Sequence, residues 1–176
     1  SWHKAKAGRK RLYPSYRQSR FMAYDAIAHG ARGILYWGTQ TIDDPLFRES
    51  LYALTSELSQ LEQFLVDAGQ PVQVAVIDDL FDKPGLGVRG VLKKNRGDFL
   101  LILVNEDDHR HLGVDVTQLE ALNSRALYLL YGDEKTVVRS GGIVTRMQPY
   151  EVKVFCTNPR FETKRTMGRD YVDAGK

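Results

Sequence analysis

The chain has 176 residues, of which 43% are hydrophobic and 27% charged, with a formal net charge of +3 and one cysteine. This composition is that of an ordinary globular protein, and it excludes an internal disulfide and a charge strong enough to dictate a nucleic-acid partner. No apolar run approaches the roughly 20 residues of a membrane-spanning helix, and the residues after Ser1 contain no apolar signal-peptide core. The composition therefore does not indicate a cellular compartment. We expect a secreted or periplasmic protein only if a longer parent polypeptide carries a signal peptide.

Residues 1–14 are predicted to form a basic segment. Residues 1–20 carry seven lysines and arginines and no acid, whereas residues 43–67 carry six acids and one arginine. The basic segment is interpreted as a solvated surface loop, as a loop at a substrate cleft, or as an arm that holds nucleic acid through phosphate contacts and stacking. Its rings, which would do the stacking, are Trp2, His3 and Tyr13.

Two helices are predicted on either side of a short apolar run. Ser15 is a typical N-cap for a first helix with an apolar stripe at steps of three and four residues, and Gly30 ends this helix. His29 lies in its last turn, where the helix dipole favours a cation, so a capping role fits it better than catalysis. Asp44 before a proline predicts the start of a second, leucine-striped helix over residues 45–68.

The run from Gly30 to Gly38 predicts a fully buried strand of a parallel sheet, because it is short, wholly apolar and bounded by glycines. Trp37 stands near its end, where α/β folds place their ligands. A single strand between two helices has both edges unpaired, which is not a stable end state. Residues 1–70 are therefore expected to complete a larger sheet supplied by residues outside this chain.

After Pro71 the hydrophobic pattern changes from helical to alternating. Eight short segments at intervals of about ten residues predict an antiparallel β-sandwich over residues 71–157, with a hairpin across residues 95–98. Cys156 falls in an apolar strand pattern and is interpreted as a small buried hydrophobe. Residues 158–176 are polar and irregular, and we expect a tail that lies over the surface or is disordered. The predicted strands are 72–77, 88–94, 99–105, 112–116, 126–131, 136–139, 143–147 and 151–156.

Two stretches carry a family resemblance. The run RFMAYDAIAHGARGILYWG, residues 20–38, resembles the last helix–strand segment of (β/α)8-barrel glycoside hydrolases of the β-galactosidase and cellulase superfamily. The run QPYEVKVF, residues 148–155, resembles the final strand of the β-sandwich appended to such barrels. The resemblance implies a fold of the α/β plus all-β class: the last helix–strand–helix portion of a TIM barrel over residues 1–70, an antiparallel β-sandwich over 71–157 and an irregular tail over 158–176.

The resemblance also implies a carbohydrate site. Trp37 matches the tryptophan at the end of the eighth barrel strand, where an indole face stacks on the apolar face of a pyranose. The alternative for Trp37 is a core aromatic that seals the end of the barrel. Trp2, His3 and Gln40 would line the same cleft, and the peptide bond between Trp37 and Gly38 is expected to be cis.

No catalytic residue is expected within this chain. Retaining members of the superfamily use two carboxylates about 5 Å apart, and the matching positions would precede Ser1. Asp25 lies on a helix flank, and Asp43 and Asp44 are interpreted as helix caps. The four histidines are scattered, so the sequence predicts no metal site, and no cofactor is expected.

These observations predict a C-terminal fragment of a glycoside hydrolase that is inactive by itself. Its partners would be a carbohydrate substrate and the remainder of the barrel, from the same polypeptide or another chain, and the sandwich would act as a scaffold. Two alternatives remain open. One is a non-catalytic carbohydrate- or protein-binding module, and the other is nucleic-acid binding through the basic segment.

Overall fold

The computed structural model describes residues 12–78 and 87–161. Its helices are α1 (Tyr16–Ala28), α2 (Pro45–Gln60) and α3 (Glu62–Leu65). Its strands are β1 (Gln70–Pro71), β2 (Gln73–Asp78), β3 (Val88–Asn95), β4 (Asp98–Asn105), β5 (Leu112–Thr117), β6 (Ala126–Leu129), β7 (Lys135–Val137), β8 (Ile143–Met147) and β9 (Val152–Cys156).

The strands form two antiparallel sheets. A six-stranded sheet has the order β1-β3-β4-β9-β6-β7, and a three-stranded sheet has the order β2-β5-β8. The prediction of an antiparallel β-sandwich is thus confirmed, and each of the eight predicted segments overlaps a strand. The predicted hairpin is also present: Asn95 pairs with Asp98, and Arg96 and Gly97 both have the positive φ angles that a tight two-residue turn requires.

The helices cover the outer face of the larger sheet, so the molecule has three layers. β4 lies in the middle layer, and its side chains alternate between the two faces. Leu101 and Leu103 lie in the core between the two sheets. Leu100 and Ile102 lie in the core between the larger sheet and the helices, together with Tyr24 of α1.

Both predicted helix starts are confirmed. Ser15 and Gln18 form a capping box at the start of α1, and the Asp44 side chain accepts a hydrogen bond from the Phe47 amide at 3.0 Å. The second helix is shorter than predicted, because α2 ends at Gln60 and the chain turns at Leu61 before α3. This turn lets Phe64 reach the core, where it is fully buried.

The strand predicted over residues 30–38 is not formed within the described residues, since these residues belong to neither sheet. A strand exists only with a hydrogen-bonded neighbour, and no described strand lies beside this one. Leu35 and Trp37 are 89% and 91% exposed, whereas Ile34 and Tyr36 pack partly against the helical core. Successive side chains of the segment therefore alternate between two sides, as in a β-strand, although the segment belongs to no sheet.

The predicted cis bond between Trp37 and Gly38 is wrong, because this peptide bond is trans. Gly38 has φ 78° and ψ 19°, a left-handed conformation that carries the chain into a short 3₁₀ turn over Thr39–Thr41. Glycine adopts this conformation without a steric penalty. The change of direction after Trp37 thus takes place at Gly38 itself.

After β9 a 3₁₀ turn over Pro159–Phe161 brings the Phe161 ring to 5.5 Å from the ring of Phe64. The rest of the predicted tail, residues 162–176, lies outside the described residues, as do residues 1–11 of the basic segment. Among the helices that the structure describes, none has the length and apolar composition needed to cross a bilayer.

Candidate functional site

A cleft of about 260 Å³ lies where the extended segment over residues 31–38 ends. Four parts of the chain meet there: the residues before α1, the end of the extended segment, the 3₁₀ turn after it and the first turns of α2. The cleft therefore combines aromatic rings with threonine hydroxyls. Its lining residues are Tyr13, Tyr36, Trp37, Gly38, Thr39, Thr41, Ile42, Phe47 and Leu51.

Trp37 presents a large aromatic surface at this cleft, because the side chain is 91% exposed. Its neighbour Tyr36 also lines the cleft and packs partly against the helical core, where burial raises the pKa of its phenol. An indole face is large, rigid and weakly negative, and it suits the C–H face of a flat polar ligand. At the end of the segment, the Trp37 ring is thus open to solvent, whereas the Tyr36 ring is partly held by the core.

Tyr13 also lines the cleft and is held by two contacts. Its ring stacks on the ring of Phe47, with centroids 4.7 Å apart and planes inclined by 21°. Its hydroxyl donates a hydrogen bond to Oδ1 of Asp43 at 2.6 Å. The interpretation of Asp43 as a helix cap is therefore wrong: Asp44 alone caps α2, and Asp43 binds Tyr13.

The four predicted site residues have different outcomes. Trp37 lies on the cleft. Gln40 is exposed in the 3₁₀ turn and is not among the residues that line the cleft. Trp2 and His3 lie outside the described residues. Tyr13, which the sequence marks only as a ring in the basic segment, is the site residue that sequence reasoning missed.

A second, mainly apolar cavity of about 360 Å³ lies beside the start of the same segment. It is bounded by the end of α1, by the extended segment and by the second half of α2 with α3. The helix-facing side of the segment is thus only loosely packed near Ile34. Its lining residues are Ile27, Arg32, Gly33, Ile34, Tyr36, Thr55, Leu58, Ser59, Glu62, Leu65 and Val66.

A buried polar network joins α1, α2 and β9. Glu57 of α2 is 2% exposed and pairs with the Arg20 guanidinium, with Nη2 2.8 Å from Oε1 and Nε 3.2 Å from Oε2. The hydroxyls of Tyr16 and Tyr24 donate to the same carboxylate at 2.9 and 2.7 Å. Arg20 also donates to the carbonyl oxygen of Val152 at 2.8 Å. The network therefore ties both helices to the larger sheet.

The electrostatics of this network favour the charged forms of the ion pair. Burial alone would raise the pKa of Glu57, but the charge of Arg20 and three side-chain hydrogen bonds hold it below its ordinary value. Burial alone would lower the pKa of Arg20, and Glu57 raises it. Burial and the nearby carboxylate raise the pKa of Tyr24 well above its usual value. Sequence reasoning missed this site, although Glu57 is an acid inside an otherwise apolar helix stripe.

Two groups of side chains bring potential metal-ligand atoms within 4.8 Å of one another. In the first, Oε1 of Glu106 already pairs with Nε of Arg89 at 2.8 Å. In the second, the Asp107 carboxylate accepts hydrogen bonds from the Arg110 backbone and side chain at 2.8 and 2.6 Å. One carboxylate of each group, Glu106 in the first and Asp107 in the second, thus already has an arginine partner. The groups are Asp25, His29 and Glu106, and Asp107, Asp108 and His109.

No protein-family model matches this sequence, and no curated protein matches it. Among solved structures, a putative α-galactosidase from Bacteroides fragilis is similar over 81% of this chain and 29% of its own, with 12% identity and a TM-score of 0.51. AmyP in complex with maltose is similar over 67% of this chain and 22% of its own, with 16% identity and a TM-score of 0.46.

The chain spans less than a third of the length of each of these structures. At such low identity the likeness to the α-galactosidase concerns the fold alone, and the AmyP match is too distant to carry an argument. The fold of this chain is therefore similar to that of part of the putative α-galactosidase structure.

Proposed function

We propose that this chain is the C-terminal part of a (β/α)8-barrel glycoside hydrolase. In this proposal residues 31–38 become the last barrel strand, and Trp37 stacks on the sugar. The β-sandwich serves as a scaffold. The observation that carries the proposal is an extended apolar segment that lacks a sheet and ends in an exposed indole at a cleft.

The two sides of the segment support a barrel. Ile34 and Tyr36 pack towards the helices, and Leu35 and Trp37 are exposed on the other side. Strands with apolar residues on both faces are typical of parallel sheets that are covered on both sides. The described helices cover one side, so the rest of the barrel would supply the neighbouring strands and cover the other.

The chemistry of the cleft supports a carbohydrate ligand. A pyranose has an apolar C–H face and an edge of hydroxyl groups, and the cleft offers the Trp37 indole next to the hydroxyls of Thr39 and Thr41. The similarity to a putative α-galactosidase supports the same class of parent enzyme. Such a parent would hydrolyse a glycosidic bond through an oxocarbenium-like transition state.

The two catalytic carboxylates of that reaction would come from the remainder of the barrel. Within the described residues, three acids of this part of the chain have other partners. Asp43 binds Tyr13, and Asp44 caps α2. Glu57 is held by Arg20 in the core. This chain would therefore position the sugar and leave proton transfer and nucleophilic attack to the upstream part.

The covered sheet argues for a scaffold role of the sandwich. One face of the six-stranded sheet packs on the smaller sheet and the other on α1, α2 and α3. The central strands β4 and β9 of that sheet are therefore covered on both faces. This arrangement favours the enzyme over a separate binding module.

The proposal is tested by extending the coding sequence upstream of Ser1 and assaying the longer polypeptide. We expect upstream apolar strands that end in glutamates, and hydrolysis of 4-nitrophenyl glycosides. Trp37→Ala should lower kcat/KM about 5- to 100-fold, because stacking on an aromatic ring contributes about 1–3 kcal/mol when the ring is removed. Tyr52→Ala, at an exposed ring on α2, is the matched control. A longer polypeptide without glycosidase activity would contradict the proposal.

A further inference from the structure

We propose that Tyr13 is a specificity residue of the cleft and that Asp43 is the positioning residue that holds it. The inference rests on the proposed function, because it takes the ligand to be a pyranose stacked on Trp37. It adds to that function a second side of the sugar site, built from the segment that precedes α1.

Tyr13 is fixed in both position and orientation. The stack on Phe47 fixes the plane of its ring, and the hydrogen bond to Asp43 fixes its hydroxyl. A hydrogen bond from a hydroxyl to a carboxylate is shorter and stronger than one between neutral groups. The phenolic proton is therefore directed at Asp43, which is not among the residues that line the cleft.

This orientation makes the phenolic oxygen an acceptor for the ligand. A tyrosine hydroxyl has one donor and two acceptor positions. Asp43 takes the donor position, and its backbone amide approaches one acceptor position at a long 3.4 Å. An acceptor at the edge of the cleft suits a sugar hydroxyl, which brings its own proton.

The cleft thus combines a stacking surface with a polar edge that can distinguish sugars. Trp37 would bind the C–H face, which many pyranoses share, whereas Tyr13 would respond to the presence and direction of one hydroxyl. Sites that hydrogen-bond a substrate hydroxyl discriminate strongly against analogues in which it is missing or misplaced. The volume of about 260 Å³ is small for a ligand site, which favours one sugar ring at this position.

The experiment measures kcat and KM of the upstream-extended polypeptide on 4-nitrophenyl gluco-, galacto- and mannopyranosides of both anomeric forms. Tyr13→Phe keeps the ring and its stack but removes the hydroxyl. We expect kcat/KM for the preferred sugar to fall about 10- to 100-fold and its preference over the epimers to narrow. Tyr52→Phe, which removes an exposed hydroxyl on α2, should change neither.

The role of Asp43 is tested through Tyr13. Asp43→Ala should lower kcat/KM for the preferred sugar, mainly by raising KM. Asp43→Asn keeps an acceptor for the Tyr13 hydroxyl and should retain most of the wild-type kcat/KM. In a Tyr13→Phe background, Asp43→Ala should have no further effect, since the two residues act as one unit. If the role of Asp43 were purely structural, Asp43→Ala would lower kcat/KM equally in the wild type and in the Tyr13→Phe variant.

Failure of this inference can be distinguished from failure of the proposed function. A polypeptide that hydrolyses none of the glycosides contradicts the proposed function. An enzyme that is weakened by Trp37→Ala but unaffected by Tyr13→Phe keeps that function and overturns the role of Tyr13. An equal loss from Asp43→Ala in both backgrounds overturns the role of Asp43.

Discussion

The Glu57 carboxylate of α2 pairs with the Arg20 guanidinium of α1 across a contact of 2.8 Å, with side-chain exposures of 1% and 12%. Two tyrosine hydroxyls complete the hydrogen bonds of the carboxylate. Buried ion pairs are tolerated where such extra hydrogen bonds replace the lost water. The pair is therefore the point where the helical layer depends most on a specific polar contact.

Glu57→Gln should lower the free energy of unfolding by about 3 kcal/mol, because it leaves the buried Arg20 charge without its partner. Urea denaturation followed by circular dichroism measures the change. Glu49→Gln, at an exposed site on the same helix, is the control and should stay within about 0.5 kcal/mol of the wild type. Equal stabilities of the two variants would contradict a buried pair.

The same pair predicts an acid-dependent loss of stability. Because the pKa of Glu57 in the folded state lies below its ordinary value of 4.5, its contribution is fully present above that pH. It is lost as the pH falls through the lowered folded pKa. The difference in unfolding free energy between the wild type and Glu57→Gln should thus narrow below about pH 4.5. A constant difference between pH 7 and pH 3 would argue against this assignment.

Gly90→Ala should destabilise the sandwich by about 1–3 kcal/mol through overpacking. A Cβ at this position would lie 2.5 Å from Cγ2 of Val72 and 3.0 Å from Cγ2 of Val74. Gly33→Ala is the matched control, since a Cβ there meets nothing within 4 Å. Thermal unfolding measures the stability of both variants. A Gly90→Ala variant as stable as Gly33→Ala would mean that β3 is not packed this closely.

Leu35→Lys should reduce self-association of the chain without loss of stability. Leu35 is 89% exposed on an extended apolar segment, and such segments promote association unless a charge interrupts them. Sedimentation velocity at increasing concentration measures the effect. Ile34→Lys is the contrasting variant, because Ile34 packs against the helical core and its replacement should destabilise the fold. Association that is unchanged by Leu35→Lys would show that another surface is responsible.

Local signals in the sequence predicted the parts of the fold that depend on neighbouring residues. The caps at Ser15 and Asp44 each involve a partner three residues away, and the hairpin at Asn95 closes over two residues. The strands of the sandwich were predicted because their alternating pattern is itself local. For such features the sequence carries nearly all the information that the fold uses.

Contacts between distant residues could not be read in this way. Arg20 and Glu57 are 37 residues apart, and Tyr13 and Asp43 are 30 apart, so no periodicity links them. The strand predicted at residues 30–38 is not formed within the described residues for a different reason. Its apolar pattern is that of a strand, but pairing is a property of two strands, and the described part of the chain contains no neighbour for it.

The alternating burial of β4 has a consequence for how this molecule unfolds. Leu100 and Leu101 are adjacent in the chain and fully buried, yet each belongs to a different core. Detaching the helices would expose one side of β4 and weaken the strand that holds the other core together. Helices and sheets are thus expected to melt as one cooperative unit, with a single transition in calorimetry.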